Sequence, residues 1–411
     1  MASIQIAIVS DLHVGKHARA SDLAPVGTDG LFNEKNYLDR FVKYFTMQRV
    51  RADYLLVPGD VTDSCQLAEV EIAAKCVARI AKTLHVPKKN VIFVPGNHDV
   101  DWDVLSLGTT PVRAAQRYDN LKFREHLFCK LLSACKGNIL KTPFLNFRQY
   151  DNLVVVGFNS SWHDRQDELM HYGRIEDEHL VALESLLRSI DLGPHRLRLF
   201  ILHHHPIAYS NPAPGEADFS MLVNSEALLK LLAKYQFDLI IHGHTHQPRF
   251  STHEVDVGPA LGILSAGTFS MALPSTWNGK VTNQFHVITV DSRDPATKAI
   301  RGNVTSWCFY HGTDWIPSNM PHAGIPHVEP FGGYTQTPGL VAGIRPILIT
   351  LFNARTWVDW KMIVGADGSL AYARPMRILE ALDILAAELN FRIHERAQND
   401  LSRIVLLKEV H

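Results

Sequence analysis

Cysteine is scarce in this chain: five residues in 411, an odd number with no Cys-x-x-Cys pair. That usage argues against a disulfide framework or a thiolate zinc site, and reads as the reduced, packed thiols of a cytoplasmic protein. Net charge is also lacking, at −1 with histidine neutral, which weighs against a general basic surface for long nucleic acid. No apolar run reads as long enough to span a bilayer. Ile4 enters the first apolar run too early to leave room for a signal peptide. No repeat of solenoid period is present. What the chain does have is histidine, 22 residues of it, and that surplus invites a metal-binding reading.

The histidines are not scattered. Short apolar runs at 4–9, 54–57, 90–94, 197–202 and 237–241 each end in a polar cluster. In order these are Asp11-Leu12-His13, Gly59-Asp60, Gly96-Asn97-His98-Asp99, His203-His204-His205-Pro206 and Gly243-His244-Thr245-His246. Residues i and i+2 of an extended turn point the same way, so His244 and His246 can aim at one point. By the same alternation His204 faces opposite to His203 and His205. Asp63 reads as a cap for the following helix rather than as a ligand. Between the runs, apolar stripes at helical spacing cover 36–50, 64–84, 180–190 and 224–235. Strands alternating with helices predict a layered α/β fold. In such folds ligands gather beyond the carboxyl ends of the strands, where every one of these clusters sits.

Collected together, Asp11, His13, Asp60, Asn97, His98, His204, His244 and His246 form a set of oxygen and imidazole donors without cysteine. That mixture suits manganese, iron or zinc and fits calcium less well. The set exceeds one ion's shell, so two divalent ions sharing a carboxylate are expected, with Asp60 as the natural bridge. Two ions about 3.5–4 Å apart clamp an in-line displacement at phosphorus and turn a bridging water into hydroxide at neutral pH. A separate acid must then serve the leaving oxygen, and His98 is the candidate.

The rest of the chain divides around this core. Residues 101–150 read as a helical insertion, basic and aromatic (Arg113, Arg117, Tyr118, Lys122, Phe123, Arg124), either a solvated helix or a lid meeting an anionic substrate. Strands are expected at 261–268, 285–290 and 301–310, with the core unit spanning 1–295 and an extension or linker at 296–343. Residues 344–411 read as a small α/β accessory module: a strand at 346–352, a hairpin of 358–364 with 370–373, and a helix from Pro375. No catalytic constellation is visible in it, and it is a candidate for a protein contact, a cover for the site or a dimer interface.

The five blocks, in this order over residues 4–290, resemble the calcineurin-like metallophosphoesterase superfamily. The resemblance implies a four-layer α/β/β/α sandwich of two mixed sheets. It implies one metal on Asp11, His13, Asp60 and His246, and a second on Asp60, Asn97, His204 and His244. The ligand two residues before the proline selects His204, which leaves His203 and His242 to the strand interior. The resemblance also implies His98 as catalytic histidine with Asp99 behind it, and Asn97, His98 and His205 as groups that meet the substrate. Gly-Asn-His-Asp together with His-x-Pro, Gly173-Arg174 and Asn159-Ser160-Ser161 is most similar to the cyclic-nucleotide phosphodiesterase branch. The expected activity is therefore metal-dependent hydrolysis of a small nucleotide-type diester. The alternatives are a phosphomonoesterase or nuclease on the same scaffold, with nucleic acid not favoured and no membrane partner, and a non-catalytic interaction module that keeps the fold.

Overall fold

The computed structural model describes residues 3–28, 32, 34–101, 116, 144–163, 172–209, 221–254, 260–273, 281–310, 314–319, 324–333, 336–394 and 401–409. The chain lays down β1 (Ile4–Ile8), α1 (Tyr37–Met47), β2 (Tyr54–Val57), α2 (Leu67–Thr83) and β3 (Val91–Phe93). It continues with β4 (Leu145–Gln149), β5 (Leu153–Phe158), α3 (Asp177–Ser189), β6 (Leu197–Ile201), α4 (Ser225–Lys234), β7 (Leu239–His242), β8 (Pro248–His253) and β9 (Leu261–Ala266). Then come β10 (Asn283–Arg293), β11 (Ile300–Phe309), β12 (Trp315–Pro317) and β13 (Val328–Phe331).

These strands make two mixed sheets. One runs β12-β11-β10-β1-β2-β3, with β13 also on β11; the other runs β4-β5-β6-β7-β9-β8. Strands β1, β2 and β3 are parallel, as are β5, β6, β7 and β9. Alternation along each strand assigns its two faces. Ile4, Ile6 and Ile8 meet Leu197, Leu199, Ile201, Leu239 and Ile241 in an apolar layer between the sheets. Each such fully buried side chain contributes about 2 kcal/mol. The opposite phase of β1 to β3, with Ala7, Leu55, Val57 and Phe93, packs on Tyr37, Phe41 and Phe45 of α1 and Val70, Val77 and Ile80 of α2. The opposite phase of the second sheet, with Val154, Val156, Phe200 and Ile240, packs on α3 and α4. The result is the expected four-layer sandwich, and the carboxyl ends of β1, β2, β3, β6 and β7 carry the five polar clusters.

Several sequence expectations need correction. Residues 296–343 are not a linker, because β11, β12 and β13 within them complete the first sheet; β10 and β11 pair along nearly their whole length. The expected insertion at 101–150 lies almost wholly outside the described residues, apart from β4, which pairs antiparallel with β5. In the C-terminal part, 346–352 is not a strand but lies within helix α5 (Thr337–Ala354). The β-branched run there looks strand-like, yet Leu340, Ile344, Leu348 and Phe352 recur every four residues and form the buried face. The expected hairpin is instead a short strand β14 (Trp357–Asp359), whose Asp359 side chain accepts from the Met362 N–H at 2.9 Å and caps α6 (Trp360–Ala366).

Helix α7 (Pro375–Leu389) and strands β15 (Phe391–Ile393) and β16 (Val405–Lys408) complete this part, whose sheet runs β14-β16-β15. It has an apolar core of its own, from Leu340 to Leu406. Arg374, just before α7, ties it to the sandwich: its guanidinium donates to the Phe250 carbonyl at 3.0 Å and pairs with Glu329 at 2.9 Å. Contrary to the sequence expectation, α5 is long and apolar enough by length and composition to cross a membrane.

Candidate metal centre

The turns that follow the strands hold their side chains in unusual backbone. Asp11, His13, Asp60, His244 and His246 all have positive φ, between 46° and 70°. A non-glycine residue in this left-handed region costs roughly 1–2 kcal/mol, and such strain clusters where side chains must be aimed. Backbone hydrogen bonds hold the turns together. Asp11 N–H donates to Gly59 O at 3.0 Å, His13 N–H to Asp60 O at 3.0 Å, and His244 N–H to Asp11 Oδ1 at 3.0 Å. Gly59 sits at φ +101°, where a Cβ would stand 2.6 Å from His203 Nδ1 and 2.7 Å from Gly96 N, so only glycine fits between those groups.

Four groups of donor atoms result among the described residues, and two of them share a carboxylate. In the first, Asp11, His13, Asp60 and His246 bring one ligand atom each within 4.8 Å of one another; in the second, Asp60, His203 and His244 do the same. Asp60 belongs to both. Asn97 joins the second group, its Oδ1 lying 3.0 Å from His244 Nδ1 and 3.1 Å from His203 Nε2. His13 Nε2 faces His246 Nε2 at 3.1 Å, and His203 Nε2 faces His244 Nδ1 at 3.1 Å. Two imidazole lone pairs at that distance repel unless a proton or a cation lies between them. Asp60 Oδ2 is buried without hydrogen-bond geometry to any donor, 3.1 Å from His203 Nε2 and 3.7 Å from His13 Nε2. Inward-facing nitrogens around an unsatisfied carboxylate oxygen are the chemistry of a cation site, so the donor set fits divalent metal ions.

Electrostatics agree. Burial holds His13 down at about 4 and His244 well below the usual imidazole range, so both are neutral and able to ligate. Burial also opposes charge on His203, but the Asp60 carboxylate outweighs it and lifts the ring to about 9. Asp60 is held well down, since His203 and His98 overcome its own desolvation. In metal-free protein the pair is thus His203 cation with Asp60 anion. A histidine raised above its unfolded value of about 6.5 adds stability that is complete below that pH and lost as pH rises through the folded value. Chelator-treated protein should therefore lose thermal stability between pH 7 and 9.5. A melting temperature level across that range would contradict the ion pair.

His98 stands at the rim, about a third exposed. Its backbone N–H donates to Asp60 Oδ1 at 2.8 Å, and its Nδ1 lies 2.7 Å from the Asp63 carbonyl, which fixes Nδ1 as the donor and leaves Nε2 outward. Asp60 and the Asp63 carbonyl, working against burial, raise its pKa.

Four sequence assignments are corrected here. His203, not His204, joins the cluster, with its Nδ1 held by the Pro58 carbonyl at 2.8 Å. His204 points to the helix side, where its Nδ1 lies 2.8 Å from Ser160 Oγ and its ring occupies the space a side chain at Gly173 would need. Asp99 does not stand behind His98. Its carboxylate accepts from the N–H groups of Gly96, Val61 and Thr62 and from the Thr62 hydroxyl, and so clamps the second motif turn to the third. The carboxylate near His98 is Asp63, which caps no helix; α2 is capped by Gln66 and Glu69 instead. Asp63 Oδ1 lies 3.6 Å from His13 Nδ1, 4.0 Å from His98 Nδ1 and 2.6 Å from His17 Nδ1. Finally, His205 does not reach the rim: it is fully buried, its ring packed beside Tyr209 at 5.5 Å.

The sequence model for calcineurin-like phosphoesterases matches residues 4–248, well over half of the chain. The chain belongs to the calcineurin-like phosphoesterase family. Curated proteins provide no match. Among solved structures, a purple acid phosphatase from yellow lupin (Lupinus luteus) seeds is similar at 15% identity and TM-score 0.47, over 77% of this chain and 53% of that one. A candidate 5′-nucleotidase from Staphylococcus aureus aligns at 13% identity and TM-score 0.39, over 73% and 53%. An anchor protein of the Plasmodium inner membrane complex aligns at 13% identity and TM-score 0.37, over 74% and 85%. The chain thus spans about half the length of the first two of these proteins.

Proposed function

We propose that this phosphoesterase is a dinuclear phosphodiesterase acting on a small, nucleotide-type diester. The observation that carries it is Asp60, one buried carboxylate common to two sets of inward-facing donors. In this reading Asp11, His13, Asp60 and His246 hold one divalent ion, and Asp60, Asn97, His203 and His244 hold the other. Bound there, two such ions activate water and neutralise the non-bridging oxygens of the phosphate; manganese, iron and zinc all suit the donors. The remaining work belongs to the chain. Asn97 presents its amide oxygen inward while Gly96 and Asp99 hold its turn. His98, with Nδ1 committed to the Asp63 carbonyl, has Nε2 free to deliver a proton to the departing alkoxide. Asp63 positions the His98 ring through its carbonyl, and its carboxylate lies 3.6 Å from His13 Nδ1. A diester rather than a monoester is supported by the likeness of Gly-Asn-His-Asp and His-x-Pro to the cyclic-nucleotide branch. The buried thiols of Cys76 and Cys308, in no disulfide, accord with a cytoplasmic setting.

The test is a substrate panel with manganese-loaded protein: bis(4-nitrophenyl) phosphate, 4-nitrophenyl phosphate, 3′,5′-cyclic nucleotides and short single-stranded DNA. The diesters of small alcohols should be turned over fastest. A higher kcat/KM on 4-nitrophenyl phosphate would overturn the diesterase assignment, and DNA as the best substrate would replace it with a nuclease.

A further inference from the structure

Asp63 holds two imidazoles at the rim of the metal centre, and the hydrolytic mechanism uses one of them. His98 Nδ1 lies 2.7 Å from the Asp63 carbonyl, and His17 Nδ1 lies 2.6 Å from Asp63 Oδ1. That carboxylate oxygen also stands 4.0 Å from His98 Nδ1, so the two rings are neighbours across a single atom. Burial pushes the Asp63 carboxyl up, but the His13 and His17 imidazoles outweigh it and hold the group below the usual carboxylate range. An ionised carboxylate only accepts, so His17 donates from Nδ1 and turns Nε2 away from Asp63, the pose that His98 also has.

The His17 ring is 54% exposed and the His98 ring 35%, against 1% for His13 and for Asp60. A group that departs outward past His98 therefore departs past His17. The His17 side chain is not needed to hold its own loop. Its carbonyl accepts from Ala272 N–H at 2.8 Å, and Arg19 N–H donates to Ser270 O at 2.9 Å. The Ser270 hydroxyl donates to the Leu12 carbonyl at 2.7 Å, which keys this segment to the turn of Asp11 and His13. A half-exposed His–Asp contact adds little stability beyond these bonds. What it does is aim a ring nitrogen beside the acid. A hydroxyl pairs with such a nitrogen in either protonation state. A second phosphate is disfavoured by the Asp63 carboxylate against the ring. An apolar group would displace water from the nitrogen and return no bond. Two hydrogen bonds made to neighbouring oxygens of a diol bridge about 8 Å, a span open to two rings anchored on one residue.

We propose that His17 holds the leaving alcohol, its Nε2 pairing with a hydroxyl beside the departing oxygen, so that the preferred substrate releases a vicinal diol such as that of a ribose. The inference rests on the phosphodiesterase reading and deepens it by naming the leaving group. The test compares 3′,5′-cyclic AMP with its 2′-deoxy analogue in the manganese-loaded full chain, with bis(4-nitrophenyl) phosphate as the control diester. Wild type should form 5′-AMP, which marks O3′ as the departing oxygen, and should favour the ribose ester about fivefold in kcat/KM, the worth of one hydrogen bond. His17→Asn keeps a donor for Asp63 but has nothing in place of Nε2. It should bring that ratio to about 1 with melting temperature, metal content and turnover of the control unchanged. A ratio kept in His17→Asn would reduce His17 to an anchor for Asp63 and overturn the contact. A fall in melting temperature or metal content would make it part of the scaffold, with the same consequence. Equal turnover of the two cyclic nucleotides by wild type, 3′-AMP as product, or turnover of the control alone would overturn the contact and leave the diesterase intact. Turnover of no diester would remove the diesterase reading and the contact with it.

Discussion

Asp60→Asn leaves a folded protein with turnover down by about a thousandfold or more. Asparagine keeps the shape and the Oδ1 that accepts from the His98 N–H at 2.8 Å in the parent, so the turn survives. What disappears is the negative charge between the two donor groups. A cation pair sharing one carboxylate loses several kcal/mol of stabilisation when that carboxylate is neutralised, and each 1.36 kcal/mol off the barrier is a factor of ten. Metal analysis should show fewer than two equivalents retained after gel filtration. His98→Ala fails differently. Its ring is at the rim and outside both donor groups, so both ions should stay bound while kcat falls by about 10²–10⁴, the range of one general acid. That loss should shrink for nitrophenyl esters, whose leaving group scarcely needs a proton, and grow for alkyl esters. Wild-type metal content and turnover in Asp60→Asn would remove the shared carboxylate from the mechanism. Undiminished hydrolysis of an alkyl diester by His98→Ala would remove the acid.

Most of the sandwich could be read from the chain because its strands announce themselves. Each of β1, β2, β6 and β7 is a short β-branched or leucine-rich run that stops at glycine or at a charged or imidazole side chain. The apolar stripes of α1 and α2 are equally plain, and each motif turn lies just past a strand end. What escaped was decided by long-range packing. The strand at β11 could be read, but it comes after the polar, turn-like stretch 291–295 that reads as a boundary, and only its pairing with β10 and β13 shows that the first sheet continues beyond it. Helix α5 carries Pro346 and a run of isoleucine and leucine that imitates a strand; its fourfold spacing was the better guide. Asp63 looked like a helix cap because it stands directly before the helical stripe read at 64–84, and nothing local shows that His13, His17 and His98 all converge on it. The resemblance implied Asp99 behind His98, yet adjacent residues in a turn point apart, and its carboxylate accepts from backbone N–H groups instead.

The histidine triplet gives the sharpest case, because there the sequence did contain the answer. Leu197, Leu199 and Ile201 of β6 face the layer between the sheets, whereas Phe200 and Leu202 face α3 and α4. Extending that alternation by one step puts His203 in phase with the inter-sheet face, above which Asp60 and Asn97 stand, and His204 in phase with the helices. Counting back from Pro206 ignored this phase and chose the wrong ring. The consequence is a pair of opposite outcomes. His203→Ala removes an imidazole nitrogen 3.1 Å from both Asp60 and Asn97, and should weaken one of the two ions by at least about a hundredfold, beyond the 10–100-fold typical of an outer partner, with turnover falling alongside. His204→Ala empties a fully buried site beside Ser160 and Gly173, and should lower the melting temperature by several degrees while both ions remain. Measuring metal stoichiometry and melting temperature on both variants separates the roles. Loss of an ion from His204→Ala, with His203→Ala fully loaded, would reverse the assignment and require β6 to enter the centre one residue out of phase.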